Sequence, residues 1–137
     1  MRMLSKILTV MLALLAASAV YARDEVIERP NIPVVTGSGK SVNQADLSRA
    51  IISGAAAGKQ KWEVTPAADG SLKALYKVRS HAVWVNIVPG PDSYSIKYAD
   101  SVGMKYRVDN GTPLIHGSYN KWVDELVNSI TLELKKL

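Results

Sequence analysis

At 137 residues the chain is long enough for one domain, and without a single cysteine it can form no disulfide, offer no thiolate to a metal and carry no lipid on sulfur. Its 17 Lys and Arg against 12 Asp and Glu give a formal charge of +5, which falls to about +3 when the two basic residues of the leader, Arg2 and Lys6, are set aside. That mild excess suits contact with an anionic surface but is far from the dense basic patch that nucleic-acid binding needs, so no nucleic-acid partner is expected.

Met1 to Ala22 reads as a secretory signal peptide. Arg2 and Lys6 supply the basic start, Ile7 to Ala17 the apolar run, and the small residues ending at Ala22 a cleavage site before Arg23, with Ala19 as a second option. The apolar run of about 11 to 14 residues is short of the roughly 20 that span a bilayer. The mature chain is therefore expected in the periplasm or secreted, with no integral membrane span once the leader is removed. Lacking disulfides, it must be stabilised by its core alone.

Arg23 to Pro33 is polar and twice interrupted by proline, which disfavours helix and holds the preceding residue extended. It is expected as an extended or flexible arm, able to pair with a free sheet edge in this chain or in a second copy. Domain organisation then reads as leader 1–22, arm and glycine-rich turn 23–40, and a single α+β domain 41–137.

Thr36-Gly37-Ser38-Gly39-Lys40-Ser41 invites a phosphate-loop interpretation. Such a loop needs a glycine five positions before the Gly-Lys pair, and Val34 stands there, so the pattern fails and a turn leading into a helix cap is expected instead. The helix begins at Ser41 to Asn43, whose side chains can accept from a free backbone amide, and stops at Gly58. Leu47, Ala50, Ile51 and Ala55 form its buried stripe.

Lys61 to Ala99 reads as four short strands in succession, by period-two alternation between turn signals. Trp62 and Val64 lead to Pro66 and the Asp69-Gly70 turn. Leu72, Ala74, Tyr76 and Val78 then face one side, opposite Lys73, Leu75, Lys77 and Arg79; Ser80 and His81 make a turn. Val83, Val85 and Ile87 alternate with Ala82, Trp84, Asn86 and Val88, and after Pro89-Gly90-Pro91-Asp92 come Tyr94, Ile96 and Tyr98. Connections this short favour an antiparallel meander. From Asp100 to Gly117 an irregular excursion pinned by Tyr106 is expected, although Asn110-Gly111 is also a hairpin signal.

The last element is an amphipathic helix. Tyr119, Trp122, Val123, Leu126, Val127, Ile130 and Leu134 make its apolar face, with Asn120 among the polar residues opposite and Ser118 as its cap. Full burial of Trp122 would make its truncation to Ala cost about 3 to 5 kcal/mol. The expected fold is two-layer α+β: an N-terminal helix, a four-stranded antiparallel meander and a C-terminal helix, with both helices on one sheet face.

Thr36-Gly37-Ser38-Gly39-Lys40, Trp62-Glu63-Val64, Tyr94-Ser95-Ile96-Lys97-Tyr98 and Ile115-His116 followed by Tyr119-Asn120-Lys121-Trp122-Val123 together resemble a group of short exported, lipoprotein-like proteins of Gram-negative bacteria. The resemblance spans most of the mature chain. It implies an envelope location and no particular activity, and this chain lacks the cysteine that lipoprotein members carry at the leader junction.

Two candidate sites follow. On the outer sheet face Trp84 stands near Lys73, Lys77 and Lys97, an aromatic ringed by cations that can stack on a ligand or dock an envelope protein. Elsewhere His116 and Asn120 can line a polar pocket with Tyr98 and Tyr106, the setting a small periplasmic hydrolase would need. With two histidines, no His-Glu-x-x-His run and no clustered carboxylates, no catalytic residue, metal site or cofactor is assigned. The expectation is a non-catalytic envelope protein that binds a partner or small ligand through the outer face or the 100–117 segment.

Overall fold

The computed structural model describes residues 23–137; the leader assigned to 1–22 lies outside the described residues. Eight strands and two helices follow in the order β1 (Arg23–Glu25), β2 (Arg29–Pro33), α1 (Gln44–Ala57), β3 (Glu63–Pro66), β4 (Leu72–Val78), β5 (His81–Pro89), β6 (Ser93–Val102), β7 (Arg107–Asp109), β8 (Thr112–His116) and α2 (Ser118–Leu134). The fold is α+β. Its strands form two antiparallel sheets, five-stranded in the order β2-β6-β5-β4-β3 and three-stranded in the order β1-β8-β7.

The centre of the larger sheet follows the alternation. Leu72, Ala74, Val83, Val85, Ile87, Tyr94 and Ile96 are buried on one face, in one cluster with Leu47, Ala50, Ile51 and Ala55 of α1 and Tyr119, Val123, Leu126, Ile130 and Leu134 of α2. Between β4 and β5 the turn is Arg79-Ser80, with Arg79 at φ +55°. His81, expected in a turn, is instead the first residue of β5 and pairs with Val78.

Three expectations need correction. The meander is not the whole sheet, and the first helix is not the first element. Arg23 to Pro33 is extended but is also built into the fold: β2 runs along β6 and β1 along β8. Proline is tolerated at such edge positions because no ladder amide is needed on the outer side, and the register shifts between Arg29 and Ile32, where Asn31 has φ +52°. The second correction concerns the segment after Asp100. It is a hairpin, β7 and β8 closing on Asn110-Gly111 at φ +50° and +79°, the pair of left-handed residues that a tight hairpin turn requires.

Helix layout is the third. Where both helices were expected to cover one sheet face, α1 and α2 form a close pair in which Gly54 meets Ile130. A Cβ on Gly54 would stand 2.8 Å from the Ile130 Cα. Trp62, 2% exposed, fills the core beside this pair, whereas Trp122 is only partly buried and meets the Tyr76 ring edge-on with centroids 5.0 Å apart.

The glycine-rich segment has a structural explanation. Ser38 N–H donates to the Leu137 carbonyl (3.0 Å), Thr36 Oγ1 donates to the Lys40 carbonyl (2.7 Å), and a Cβ at Gly37 would lie 2.2 Å from the Lys135 carbonyl oxygen. The segment thus packs closely against the C-terminal end of α2, where a helix leaves acceptors unsatisfied. Asn43 separately caps α1, its Oδ1 accepting from Asp46 N–H at 2.8 Å. Among the described residues no helix is long and apolar enough to cross a membrane.

Candidate functional site

Strand register assembles the outer face of the five-stranded sheet row by row. Thr65, Lys73, Asn86 and Lys97 lie in one row across β3, β4, β5 and β6; Glu63, Leu75, Trp84 and Asp100 lie in the next; Lys77, Ala82 and Val102 lie in a third. Lys73, Lys77 and Lys97 are exposed and Trp84 is half-buried. The register places the outer-face candidates Trp84, Lys73, Lys77 and Lys97 on this one surface.

A β-bulge shapes its middle. Val85 pairs with Tyr98 but Trp84 pairs with Asp100, so Ala99 is an extra residue in β6. Unbroken alternation through Tyr94, Ile96 and Tyr98 would have aimed Asp100 into the core. By inserting Ala99, the strand rotates Asp100 to the outer face and returns Ser101 to the inner one, where its Oγ lies 2.8 Å from the Tyr98 hydroxyl. Over the bulge opens a hollow of about 300 Å³ lined by Lys73, Trp84, Asn86, Ala99 and Asp100. Asn86, Ala99 and Asp100 were not among the expected site residues. The signal for them was a carboxylate falling in a core phase.

Electrostatics separate this hollow from a larger one. Between the C-terminal part of α1 and the α2 face lies a hollow of about 500 Å³ lined by Lys59, Glu125, Leu132, Glu133 and Lys136 among others. Its charges answer each other, with Lys136 Nζ 3.0 Å from Glu133 and Lys59 Nζ 3.9 Å from Glu125. Lys73, Lys77 and Lys97 take part in none of the ion pairs among the described residues. Lys73 shares the hollow with the Asp100 carboxylate.

The second group of candidates is brought only partly together. Tyr98 and Tyr106 stack with ring centroids 4.4 Å apart, and Tyr98 meets the Tyr119 ring edge-on at 5.7 Å. Burial pushes the Tyr98 phenol above its ordinary value, against a smaller opposing effect of its hydrogen bond with Ser101. Asn120, expected on the polar side of the last helix, is buried: its Oδ1 accepts from Ile27 N–H at 3.1 Å and its Nδ2 donates to the Glu25 carbonyl at 2.9 Å. Both ends of the amide are engaged in holding the chain between β1 and β2.

His116 is engaged as well. Its Nδ1 accepts from Ser118 N–H at 3.1 Å, so His116, and not the expected Ser118, serves the start of α2, where Gly117 holds the cap position without a side-chain bond. The His116 ring lies 5.9 Å from the His81 ring, and His81 Nδ1 is 2.8 Å from the Gly103 carbonyl, which requires that nitrogen to carry the proton. No group of three or more His, Asp or Glu that could hold a metal occurs among the described residues.

The outer face and its hollow thus define a small α+β protein with an exposed, mixed-charge sheet surface around Trp84. No family model, curated protein or solved structure matches the chain.

Proposed function

We propose that the chain is a non-catalytic exported protein of the bacterial envelope, periplasmic or secreted, that binds a ligand or partner through the outer face of its five-stranded sheet. The observation that carries this is the conjunction of a half-buried Trp84, a hollow opened by the Ala99 bulge, and three lysines without an internal ion pair. An aromatic with an apolar body fixed in a sheet and a free edge or face contributes contact area at small entropic cost. Unpaired cations around it steer and orient an anionic partner. The leader pattern and the resemblance to short exported lipoprotein-like proteins support the location.

The alternative, a small periplasmic hydrolase working through His116, is disfavoured by the engagement of His116 Nδ1 and of the Asn120 amide with backbone groups. The reading is tested with Trp84→Ala, a substitution on the outer surface that leaves the core cluster intact. Whatever the wild-type protein retains from an envelope extract is expected to be lost by the variant while it still unfolds cooperatively as a folded domain. Retention equal to wild type overturns the outer-face assignment.

A further inference from the structure

Resting on the outer-face reading above, we infer that the ligand of this surface is an acidic saccharide, a glycan chain bearing carboxylates. Polar groups of both kinds stand beside Trp84. A sugar ring presents a face of C–H groups that packs on the negative face of an indole, while its hydroxyls seek both donors and acceptors at the ring edge. Around Trp84 the hollow supplies both: the amide of Asn86, the carboxylate of Asp100 and the ammonium of Lys73. One oxygen of Asp100, Oδ1, is taken by Ser101 N–H at 2.8 Å, and the second oxygen accepts no side-chain or backbone bond among the described residues.

Charge decides the class of glycan. Lys73 and Lys97 occupy one row on either side of Asn86, two strand spacings or about 10 Å apart at the backbone. Both are exposed and without an ion pair among the described residues, and Lys73 lines the hollow beside Trp84. A ring seated on Trp84 therefore carries its neighbours past a lysine on either side, which a neutral glycan would not exploit and a carboxylated one would.

The same face argues against a simple polyanion. Asp100 stands beside Trp84 and Glu63 ends the same row on the edge strand β3, so a densely charged phosphate surface or polyphosphate chain would meet one carboxylate at the centre of its footprint and another at its margin. Like charges so placed cost affinity and act as selection against the wrong partner. A uronate ring carries a single carboxylate at its rim, which can turn toward a lysine while the ring hydroxyls donate to Asp100. At about 300 Å³ the hollow is at the small end of ligand clefts, suited to one ring of a longer chain that continues along the open sheet.

The test is calorimetric titration of the full mature chain with a short polyuronate, a neutral oligosaccharide of the same length, polyphosphate and phosphatidylglycerol vesicles. Polyuronate is expected to bind at least about tenfold tighter than any other probe, and to lose about tenfold or more in Trp84→Ala and in the double variant Lys73→Gln/Lys97→Gln, a tenfold step being 1.4 kcal/mol. Only the lysine variant is expected to flatten the salt dependence. Equal binding of the neutral sugar, or tighter binding of polyphosphate or vesicles, overturns the acidic-saccharide assignment. No polyuronate binding at millimolar concentration, with Trp84-dependent retention of another envelope component preserved, overturns the ligand class and leaves the face standing. Polyuronate binding indifferent to both variants overturns the face itself. The double variant touches only exposed side chains, so its result stands even where Trp84→Ala disturbs β5.

Discussion

Gly54→Ala reports directly on the pairing of the two helices. In an isolated helix this change is stabilising by about 0.5 to 1 kcal/mol, because glycine loses more backbone freedom on folding than alanine. Here the new Cβ would stand 2.8 Å from the Ile130 Cα, 3.0 Å from the Ser129 carbonyl oxygen and 3.1 Å from the Ile130 nitrogen. All three atoms are backbone, so no rotamer change relieves the clash. Restoring an ordinary carbon–carbon separation requires the helices to part by about 1 Å. Overpacking of that kind costs about 1 to 3 kcal/mol, which outweighs the propensity gain. With three backbone atoms inside contact distance the cost falls near the middle of that range, about 2 kcal/mol, so the expected net loss is about 1 to 1.5 kcal/mol, or roughly 3 to 8 °C in Tm for a domain of this size. Thermal unfolding followed by circular dichroism checks it. A Tm equal to wild type or above would show that α1 and α2 do not touch at Gly54, since the sign itself depends on the contact.

The two inner tryptophans should separate in the same assay: Trp62→Ala, at a site 2% exposed, is expected to cost about 3 to 5 kcal/mol, and partly buried Trp122→Ala clearly less, so that equal losses would refute the burial contrast. Asn120→Ala leaves the Ile27 amide and the Glu25 carbonyl without partners; an expected loss of about 1 to 3 kcal/mol should come with faster hydrogen exchange at Ile27, and unchanged exchange there would show that the amide does not hold the chain. Burial raises the Tyr94 and Tyr119 phenols well above the ordinary value of 10.0. The unfolded chain therefore releases their protons first, so stability is complete below pH 10 and falls as pH rises past it. The Tyr94 hydroxyl has no hydrogen-bond partner among the described residues, so Tyr94→Phe should keep or raise Tm at neutral pH and shrink the alkaline loss, and a deeper alkaline loss in the variant would contradict this.

What local pattern determined was which side chains face inward. Period-two alternation from Leu72 to Tyr98 sorted the core from the lysine-bearing face, the stripe Leu47, Ala50, Ile51 and Ala55 gave the buried side of α1 between the cap candidate Asn43 and Gly58, and Asn110-Gly111 carried a hairpin signal in a segment expected to be irregular. These follow from periods and turn chemistry that act within a few residues. The pairing of the arm was not legible, because prolines forbid helix without saying which edge an extended segment will join; β1 finds β8 and β2 finds β6 far along the chain.

Tertiary structure also decided the fate of particular polar groups. Asn120 has a polar side chain that helical phase alone assigns to solvent, and only the amide of Ile27, 93 residues away, and the carbonyl of Glu25 make its burial favourable. Asp100 lay in a core phase until the Ala99 bulge turned it outward beside Trp84. Sequence by itself thus determined two amphipathic faces, while the three-dimensional fold decided which edges are closed and where the outer face is hollowed, because burial of a polar group or a bulged strand is set by partners that only long-range contact brings near.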